Sequence, residues 1–266
     1  MTTSPNKTLA GAGPGYRDNR WLMGAVPFVV LFIGWWLLTS ANFQLMRYVL
    51  PPPGEVWDAL VKDLTSGVML QHAWITFTEL IGGLGIAVVS ATILGVLIGR
   101  SPLLEKLLYP MIVFFQAIPK VALAPLWLIV FGFGIGSKVA IAAMVSFFPM
   151  LIGTIVGMSA MRNDEHELMR SLRATSWQTF VKVQLPRALP SIFGGLQVSA
   201  IFALLGAVVG EFIGARGGLG YLISFRSAQL DLPGVFSPIV VLALFGVVLD
   251  LGLQAIGKRF MAWEGE

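Results

Sequence analysis

The sequence contains no cysteine, so the chain can form no disulfide bond, thiolate metal site or cysteine nucleophile. Charged residues are also scarce, at 12% of the 266 residues, against about 25% in an ordinary soluble domain. Hydrophobic residues make up 56%, in continuous rather than alternating runs, which favours helices over the strands of a barrel. The composition excludes a soluble globule and predicts an all-α, polytopic membrane protein.

Motifs for catalysis and nucleotide binding are missing as well. Residues 166–170 (HELMR) begin like a zinc-protease motif but have Arg170 in place of the second histidine. Residues 252–259 approximate a phosphate-binding loop, yet they lack the Ser or Thr that would hold Mg²⁺. Basic residues are not clustered on a polar face, as nucleic-acid binding requires. We therefore expect no catalytic residue, no metal site, no cofactor bound by this chain and no nucleic-acid partner, with any ATP and magnesium held by another subunit.

Six apolar runs are long enough to cross a hydrocarbon core of about 30 Å as helices. The polar first 20 residues predict a disordered tail, and the next run is too long for a signal peptide, which favours a retained first helix. The predicted spans are Trp21–Ala41, Trp74–Gly99, Leu107–Phe133, Val139–Met161, Leu189–Ile213 and Phe236–Gly257.

The distribution of Lys and Arg predicts the orientation. With both termini inside, most basic residues lie on the cytoplasmic side, and the outer segments hold only Arg47, Lys62, Lys138, Arg216 and Arg226. The predicted organisation is a cytoplasmic tail (1–20), a first transmembrane helix (21–41), an extracytoplasmic loop (42–73), a core domain (74–258) and a cytoplasmic C-terminal tail (259–266).

The third predicted span is the least regular, because it contains Lys120 and the prolines Pro110, Pro119 and Pro125. Proline removes a helical hydrogen bond, and a membrane tolerates this only where neighbouring helices or a cavity satisfy the freed backbone groups. We therefore place the segment from Gln116 to Lys120 inside the protein and take both residues as candidates for a substrate path.

Three ionisable residues lie nearest the membrane interior, namely Glu79, Lys120 and Glu211. Buried charges are functional candidates by default, because their desolvation is costly. Alternatively, both glutamates are hydrated near the outer boundary and Lys120 reaches the interface or pairs structurally. Glu211 and the outer Arg216 join Gln116 and Lys120 as substrate-path candidates.

Glycines recur four residues apart within the predicted spans. This spacing lets helix backbones approach closely, so it predicts tight packing, although it does not identify which helices meet. The pairs are Gly95/Gly99, Gly153/Gly157, Gly206/Gly210 and Gly210/Gly214.

Residues 162–187 form a polar segment between two uncharged runs. Asn163 or Asp164 can cap a first helix that begins at about Glu165, with Leu168 and Leu172 on one face. Thr175 or Ser176 can cap a second helix beginning at Trp177, and Leu185-Pro186 predicts its end, because the residue before proline disfavours α geometry. The pattern predicts a helix–turn–helix at the membrane surface.

This segment resembles the EAA loop of ABC importer permeases, whose pattern is Glu-Ala-Ala, then Gly, then a hydrophobic helix ending in Leu-Pro. Leu168-Met169 replace the two alanines, and Arg173 stands at the glycine position, where a positive φ is usual. Glu167 aligns with the glutamate and Ala174 follows the glycine position, and the second half matches at Phe180, Val183, Leu185, Pro186, Ala188 and Pro190.

Residues 116–138 and 185–222 resemble permeases of the nitrate/sulfonate/taurine importer subfamily, and the similarity runs from about residue 70 to the C-terminus. The resemblance implies the type I ABC importer permease fold in the cell inner membrane. It also implies a homodimer of this chain, two cytoplasmic ATP-binding subunits and an extracytoplasmic solute-binding protein. The residues it implies for coupling to the ATPase are Glu167, Leu168, Arg170, Leu172, Arg173, Ala174, Trp177 and Phe180.

The sequence says less about the solute. Arg216 and Arg226 on the outer side would attract an anion such as a sulfonate, taurine or nitrate, whereas aromatic or pyrimidine solutes suit the subfamily equally well. Three alternatives remain open. The chain could be an ion-coupled secondary transporter or an intramembrane enzyme, although no catalytic pair is visible, and the 162–187 loop could be an amphipathic segment resting on lipid.

Overall fold

The computed structural model describes residues 20–39 and 49–261, and it contains helices but no strand within these ranges. The chain divides into two compact units, Met1–Pro53 and Gly54–Glu266. The residues outside the described ranges are 1–19, 40–48 and 262–266. They comprise most of the predicted N-terminal tail, the end of the first predicted span (40–41), the start of the predicted outer loop (42–48) and the last residues of the predicted C-terminal tail.

The first unit contains helix α1, Arg20–Thr39, which corresponds to the first predicted span. The indole Nε1 of Trp35 donates a hydrogen bond to the carbonyl of Pro51 at 2.9 Å, and the Thr39 hydroxyl donates to the carbonyl of Trp35 at 2.9 Å. These bonds tie the end of α1 to the segment that precedes the next helix.

The remaining helices follow in chain order: α2 Pro53–Thr65, α3 Val68–Gly99, α4 Pro102–Ala117, α5 Ala124–Phe131, α6 Ile135–Ser159, α7 Asn163–Ser171, α8 Ser176–Thr179, α9 Leu185–Gly214, α10 Leu219–Ala228 and α11 Leu232–Phe260. A 3₁₀ turn, Lys120–Leu123, precedes α5, and a π-helical turn, Phe180–Gln184, joins α8 to α9. The predicted outer loop 42–73 therefore includes α2 and the beginning of α3.

Four helices among the described residues are long and apolar enough to cross a membrane: α3, α6, the continuous segment Ser176–Gly214 and α11. They correspond to the second, fourth, fifth and sixth predicted spans. The third predicted span is a broken pair, in which α4 and the segment Lys120–Phe131 meet at an angle of 70°.

Glycines hold α3, α6 and α9 together. A Cβ added at Gly99 would lie 2.6 Å from the Cβ of Met158, and one added at Gly153 would lie 2.7 Å from the Cα of Gly195. At the far end of the same helices, a Cβ added at Gly206 would lie 2.7 Å from the Cα of Ala142. The predicted glycine pairs thus mark the α3–α6 and α6–α9 contacts, where the backbones touch.

These contacts also define two ends of the helical core. At one end, the C-terminal ends of α3 and α6 lie beside the start of α9 and the 162–187 segment. We call this end of the core the loop end. At the opposite end, α2, α3, α10 and α11 pack around a buried cluster that includes Leu60, Met69, Ala73 and Leu219.

Candidate functional site

The loop-end segment 162–187 forms two helices joined by a tight turn. Helix α7 begins at Asn163, slightly earlier than the predicted Glu165, and its N-cap residue is Arg162. The predicted cap at Asn163 or Asp164 is therefore wrong, because both residues lie inside the helix. The backbone N–H of Arg162 donates to Glu165 Oε2 at 2.9 Å, which satisfies one of the amides that a helix start leaves unpaired. The second helix is capped by Thr175, one of the two predicted residues. Its hydroxyl accepts from the amide of Gln178 at 3.2 Å, and the Gln178 side chain accepts from the Thr175 amide at 2.8 Å.

The turn between the helices has Arg173 at a positive φ of 51°. The amide of Ala174 donates to the carbonyl of Met169, and the amide of Arg173 donates to that of Arg170, both at 3.0 Å. This is the Schellman arrangement, in which the left-handed position is usually glycine. The turn therefore keeps the geometry that glycine would favour, at the cost of placing an arginine in it.

Replacing Arg173 with glycine is expected to stabilise the chain by about 1 kcal/mol, because the left-handed conformation costs a side-chain-bearing residue about 1–2 kcal/mol. Thermal unfolding of the full chain would measure the change. Arg170→Gly, one turn earlier in α7, is the matched control and should destabilise by about 1 kcal/mol. A loss of stability in Arg173→Gly would contradict the assigned strain.

The predicted end of the second helix at Leu185-Pro186 is wrong. The chain stays helical from Ser176 to Gly214, and it passes Pro186 by means of the π-helical turn. In this turn the Leu185 amide donates to the carbonyl of Phe180, five residues back, and Pro186 then occupies the first turn of α9, where its missing N–H costs little. The second helix of the loop is thus continuous with a membrane-spanning helix.

Large apolar side chains on this segment face solvent. Leu168 is 59% exposed, Leu172 67% and Trp177 67%, and Glu167, Arg170 and Arg173 are also exposed. Phe180 and Ala174 are half-buried, so these two predicted coupling residues contribute less to the exposed surface. The exposed set forms an apolar surface flanked by charges.

Two contacts connect the loop to the helical core, and an ion pair within the loop joins α7 to the start of α9. The guanidinium of Arg100, at the end of α3, lies 4.6 Å from the centre of the Phe180 ring. The side chain of Gln184 donates to the carbonyl of Met158 at 2.9 Å, and Arg187 pairs with Glu165. Arg100 was not among the predicted residues. The signal that could have identified it is its position as the first charged residue after the second predicted span.

The broken pair α4–α5 brings Gln116 and Lys120 together. The prediction that this whole segment lies inside the protein is wrong, because Gln116, Ala117 and Pro119 are exposed and only Ile118 and Lys120 are half-buried. Ile118, which precedes Pro119, has an extended conformation, because proline disfavours α geometry in the residue before it. The Lys120 ammonium then donates to the carbonyl of Gln116 at 2.8 Å, replacing a helical bond that the break removes, and lies 4.5 Å from the centre of the Phe148 ring.

Gln116 and Lys120 line a cavity of about 300 Å³. Its wall is completed by α6 and α9, which contribute Phe148, Pro149, Phe202 and Leu205. Irregular backbone at membrane depth is tolerated where it lines a cavity, and this cavity combines one ammonium and one amide with two aromatic rings.

Glu211 lies elsewhere, in a buried polar cluster at the opposite end. Its carboxylate accepts from the Thr76 hydroxyl at 2.6 Å and from the amide of Gly220. The same Thr76 oxygen accepts from the amide of Leu219 at 2.8 Å, and the amide of Gly218 donates to His72 Nδ1 at 2.9 Å. We call residues 215–220 the glycine turn. Side chains of α3 and α9 thus hold this turn, which carries the exposed Arg216.

Lys138 and Glu79 belong to the same buried cluster, with 2% and 3% exposure. The expectation that Lys138 is an outer loop residue is wrong, because its ammonium is buried and donates to the carbonyls of Phe133, Gly134 and Gly214. Both glutamates are also buried, so the alternative of hydrated boundary residues does not hold. His72 and Thr76 were not predicted, since the sequence around them has no motif.

Arg226 was expected to attract anions, but it is paired within the protein. Its guanidinium donates to both carboxylate oxygens of Asp63, at 2.5 and 2.6 Å, and to the carbonyl of Gly234 at 2.7 Å. The hydroxyl of Ser237 also donates to Asp63 at 2.6 Å. Burial raises the pKa of Asp63, but the hydrogen bonds from Arg226 and Ser237 and the Arg226 charge together lower it below its usual value.

Comparison with known proteins decides the family. Residues 83–262 match the family described as the inner membrane component of binding-protein-dependent transport systems. The chain belongs to this family. It is a multi-pass ABC importer permease of the inner membrane, and its family is a transport component rather than an enzyme.

Several curated permeases resemble this one over nearly their whole length. The riboflavin transport system permease protein RibX of Chloroflexus aurantiacus is 36% identical, covering 91% of this chain and 90% of the relative. The formylaminopyrimidine transport permease protein ThiX of Halalkalibacterium halodurans is 35% identical, covering 89% and 94%. The taurine transport system permease protein TauC of Escherichia coli is 30% identical, covering 89% and 88%.

A solved structure supports the fold of the permease. The MetNI methionine ABC transporter, in an inward-facing conformation, contains a chain that superposes with a TM-score of 0.62 at 19% sequence identity. The superposition covers 70% of this chain and 93% of that chain. The predicted type I ABC importer permease fold is therefore confirmed.

Proposed function

We propose that two copies of this permease form the translocation path of an ATP-driven importer. Two cytoplasmic subunits would bind ATP and magnesium, and an extracytoplasmic binding protein would deliver a small solute. The observation that carries the proposal is the loop 162–187, which exposes Leu168, Leu172 and Trp177 and is continuous through the π-helical turn with the membrane helix α9.

The loop has the properties that a coupling element needs. An exposed apolar surface rimmed by charges fits a groove on a protein partner, in which the apolar residues supply affinity and Glu167, Arg170 and Arg173 set the register. Because the second loop helix continues into α9, a displacement of Trp177 would move α9, which packs directly on α6. ATP-driven closure of the partner subunits could therefore change access to the cavity at Lys120.

The test is co-purification and uptake with the ATP-binding subunit expressed together with the permease. We expect Glu167→Ala to leave the permease in the membrane but to lower either recovery of the ATP-binding subunit or uptake by roughly tenfold, as for the loss of a charge-assisted contact of about 1.4 kcal/mol. Lys106→Ala, an exposed change on α4, should behave like the wild type. Normal recovery and normal uptake in Glu167→Ala would refute the coupling role, and uptake without any ATP-binding subunit would favour an ion-coupled transporter.

For the solute, we propose a small organic anion such as a sulfonate. Lys120 supports this choice, because its ammonium lines the cavity, and TauC, a relative, is named for taurine. A flat heteroaromatic solute is the second candidate, because the cavity also contains Phe148 and Phe202 and the relatives RibX and ThiX are named for riboflavin and formylaminopyrimidine.

Uptake kinetics of Lys120→Met and Phe202→Ala distinguish the two solutes. For an anion, Lys120→Met should raise KM about tenfold or more, since a hydrogen bond to a charged group contributes about 1.5–3 kcal/mol. For a heteroaromatic solute, Phe202→Ala should have the larger effect, through lost stacking worth about 0.5–1.5 kcal/mol. If neither variant changes KM or kcat, the cavity does not contact the solute.

A further inference from the structure

Glu79 of α3 and Glu211 of α9 form a buried carboxyl pair. The two side chains are 3% and 1% exposed. Glu79 follows Thr76 by three residues and lies on the same face of α3, and the Thr76 hydroxyl donates to Glu211 at 2.6 Å, so the two carboxyl groups are neighbours across the α3–α9 contact. An ionised carboxylate has only acceptor oxygens, so a hydrogen bond between two carboxyl groups requires a proton on one of them. A hydrogen bond between Glu79 and Glu211 therefore needs one bound proton.

The charges around the pair lead to the same requirement. The cation Lys138 lies beside Glu211, because a Cβ added at Gly210 would meet Lys138 Cγ at 3.1 Å and the Lys138 ammonium reaches the carbonyl of Gly214. Its ammonium donates to three backbone carbonyls, at 2.6, 3.1 and 2.9 Å, so its three N–H donors are already used. Its single positive charge can balance one carboxylate at short range. A second buried carboxylate would be uncompensated, which costs several kcal/mol.

The two glutamates have unequal surroundings. Glu211 accepts from the Thr76 hydroxyl and from the backbone amide of Gly220, which stabilises its ionised form. Glu79 Oε2 is buried without a hydrogen-bond partner among the described residues. An unpartnered oxygen costs far less in a neutral carboxylic acid than in a carboxylate, so Glu79 is the better position for the proton.

We propose that the permease holds one proton on Glu79, which donates it in a hydrogen bond to an ionised Glu211. The bound proton would help to fix the glycine turn, because the Glu211 carboxylate that accepts it also accepts from the amide of Gly220. This assignment does not depend on the proposed import function, since it concerns the folded chain in the membrane.

Infrared spectroscopy of the full chain in lipid vesicles tests the proton directly. The wild type minus Glu79→Gln difference spectrum should contain the carbonyl band of one protonated carboxylic acid, and this band should shift in deuterated water. Glu55→Gln, an exposed change on α2, is the control and should produce no such band at neutral pH. A difference spectrum for Glu79→Gln that lacks the protonated-acid band would overturn the proposal.

The melting temperatures of two glutamine variants give a second test. If Glu79 and Glu211 were only structural, the two variants should be equally destabilised. Glutamine at position 79 supplies a neutral donor to Glu211, so Glu79→Gln should unfold at nearly the wild-type temperature. Glu211→Gln removes the ionised acceptor, and its amide N–H₂ group would face the donors Thr76 and Gly220. The melting temperature of this variant should therefore fall by about 4 °C or more. Equal destabilisation by the two glutamines would overturn the assignment to Glu79. If Glu211→Gln does not fold, the infrared comparison still decides.

Discussion

Gly218→Ala is expected to destabilise the permease by about 2–6 kcal/mol. Gly218 has φ 108° and ψ 165°, a conformation that only glycine adopts readily, and forcing alanine into it costs about 1–3 kcal/mol. In addition, the new Cβ would overlap the carboxyl group of Glu211, and such overpacking costs about 1–3 kcal/mol more. The residue cannot move away without breaking the hydrogen bond from its amide to His72.

Thermal unfolding of the detergent-solubilised chain measures this loss, and Gly217→Ala is the matched control. Gly217 lies in the same turn with an ordinary φ, and its added Cβ would meet only the end of the flexible Ile75 side chain. We therefore expect the control to cost less than Gly218→Ala. Similar melting temperatures for the two variants would show that the glycine turn tolerates a side chain at Gly218 and that our account of its geometry fails.

Asp63→Asn should be comparably harmful, with a loss of about 3–5 kcal/mol. The Arg226 guanidinium is 14% exposed, and removing the charge of Asp63 would leave it buried without its counter-ion. The exposed Asp58, on the same helix, is the control, and Asp58→Asn should change stability by less than about 0.5 kcal/mol. Replacing both partners with apolar residues, in Asp63→Leu with Arg226→Met, should recover much of the loss.

The same ion pair predicts a pH dependence. Because the pKa of Asp63 is lowered by folding, its stabilising contribution is complete above the unfolded-state value of about 3.9. The contribution is lost as the pH falls through the lower pKa of the folded state. The difference in melting temperature between wild type and Asp63→Asn should therefore shrink below about pH 4. A difference that stays constant from pH 7 to pH 3 would contradict the lowered pKa.

Much of the loop 162–187 was predictable because its determinants are local. The cap at Thr175, the apolar spacing of Leu168 and Leu172 and the turn at Arg173 depend on residues within one or two helical turns of each other. The first cap was misplaced by one or two residues, because Arg162 caps α7 through its backbone amide and Glu165. The error at Leu185-Pro186 has a local explanation too. Proline normally ends a helix because it lacks an N–H and its ring clashes with the preceding turn, and here a π-helical turn just before Pro186 accommodates both effects. Nothing in the sequence pattern distinguished this outcome from a stop.

The charged residues were harder to place. Lys138, Glu79 and Glu211 could each be read as boundary residues, because each lies within a turn or two of the end of a predicted span. Arg226 lies between two predicted spans and was read as an outer residue. Their partners lie far away along the chain: Thr76 bonds Glu211 across 135 residues and Arg226 bonds Asp63 across 163. Hydropathy records the surroundings of a residue in the chain and carries no information about such pairings.

The sequence by itself predicted the membrane class, the irregular backbone around Pro119 and the position of the loop 162–187, since continuous apolar runs, prolines and local helix signals act over short distances. The family followed from the resemblance of this loop and of residues 116–138 and 185–222. Only the tertiary structure decided which helices the glycines join, which charges are paired and where Glu79 and Glu211 meet. Those outcomes depend on the close packing of α3, α6 and α9, in which a buried charge is stable only beside a group that the fold brings to it.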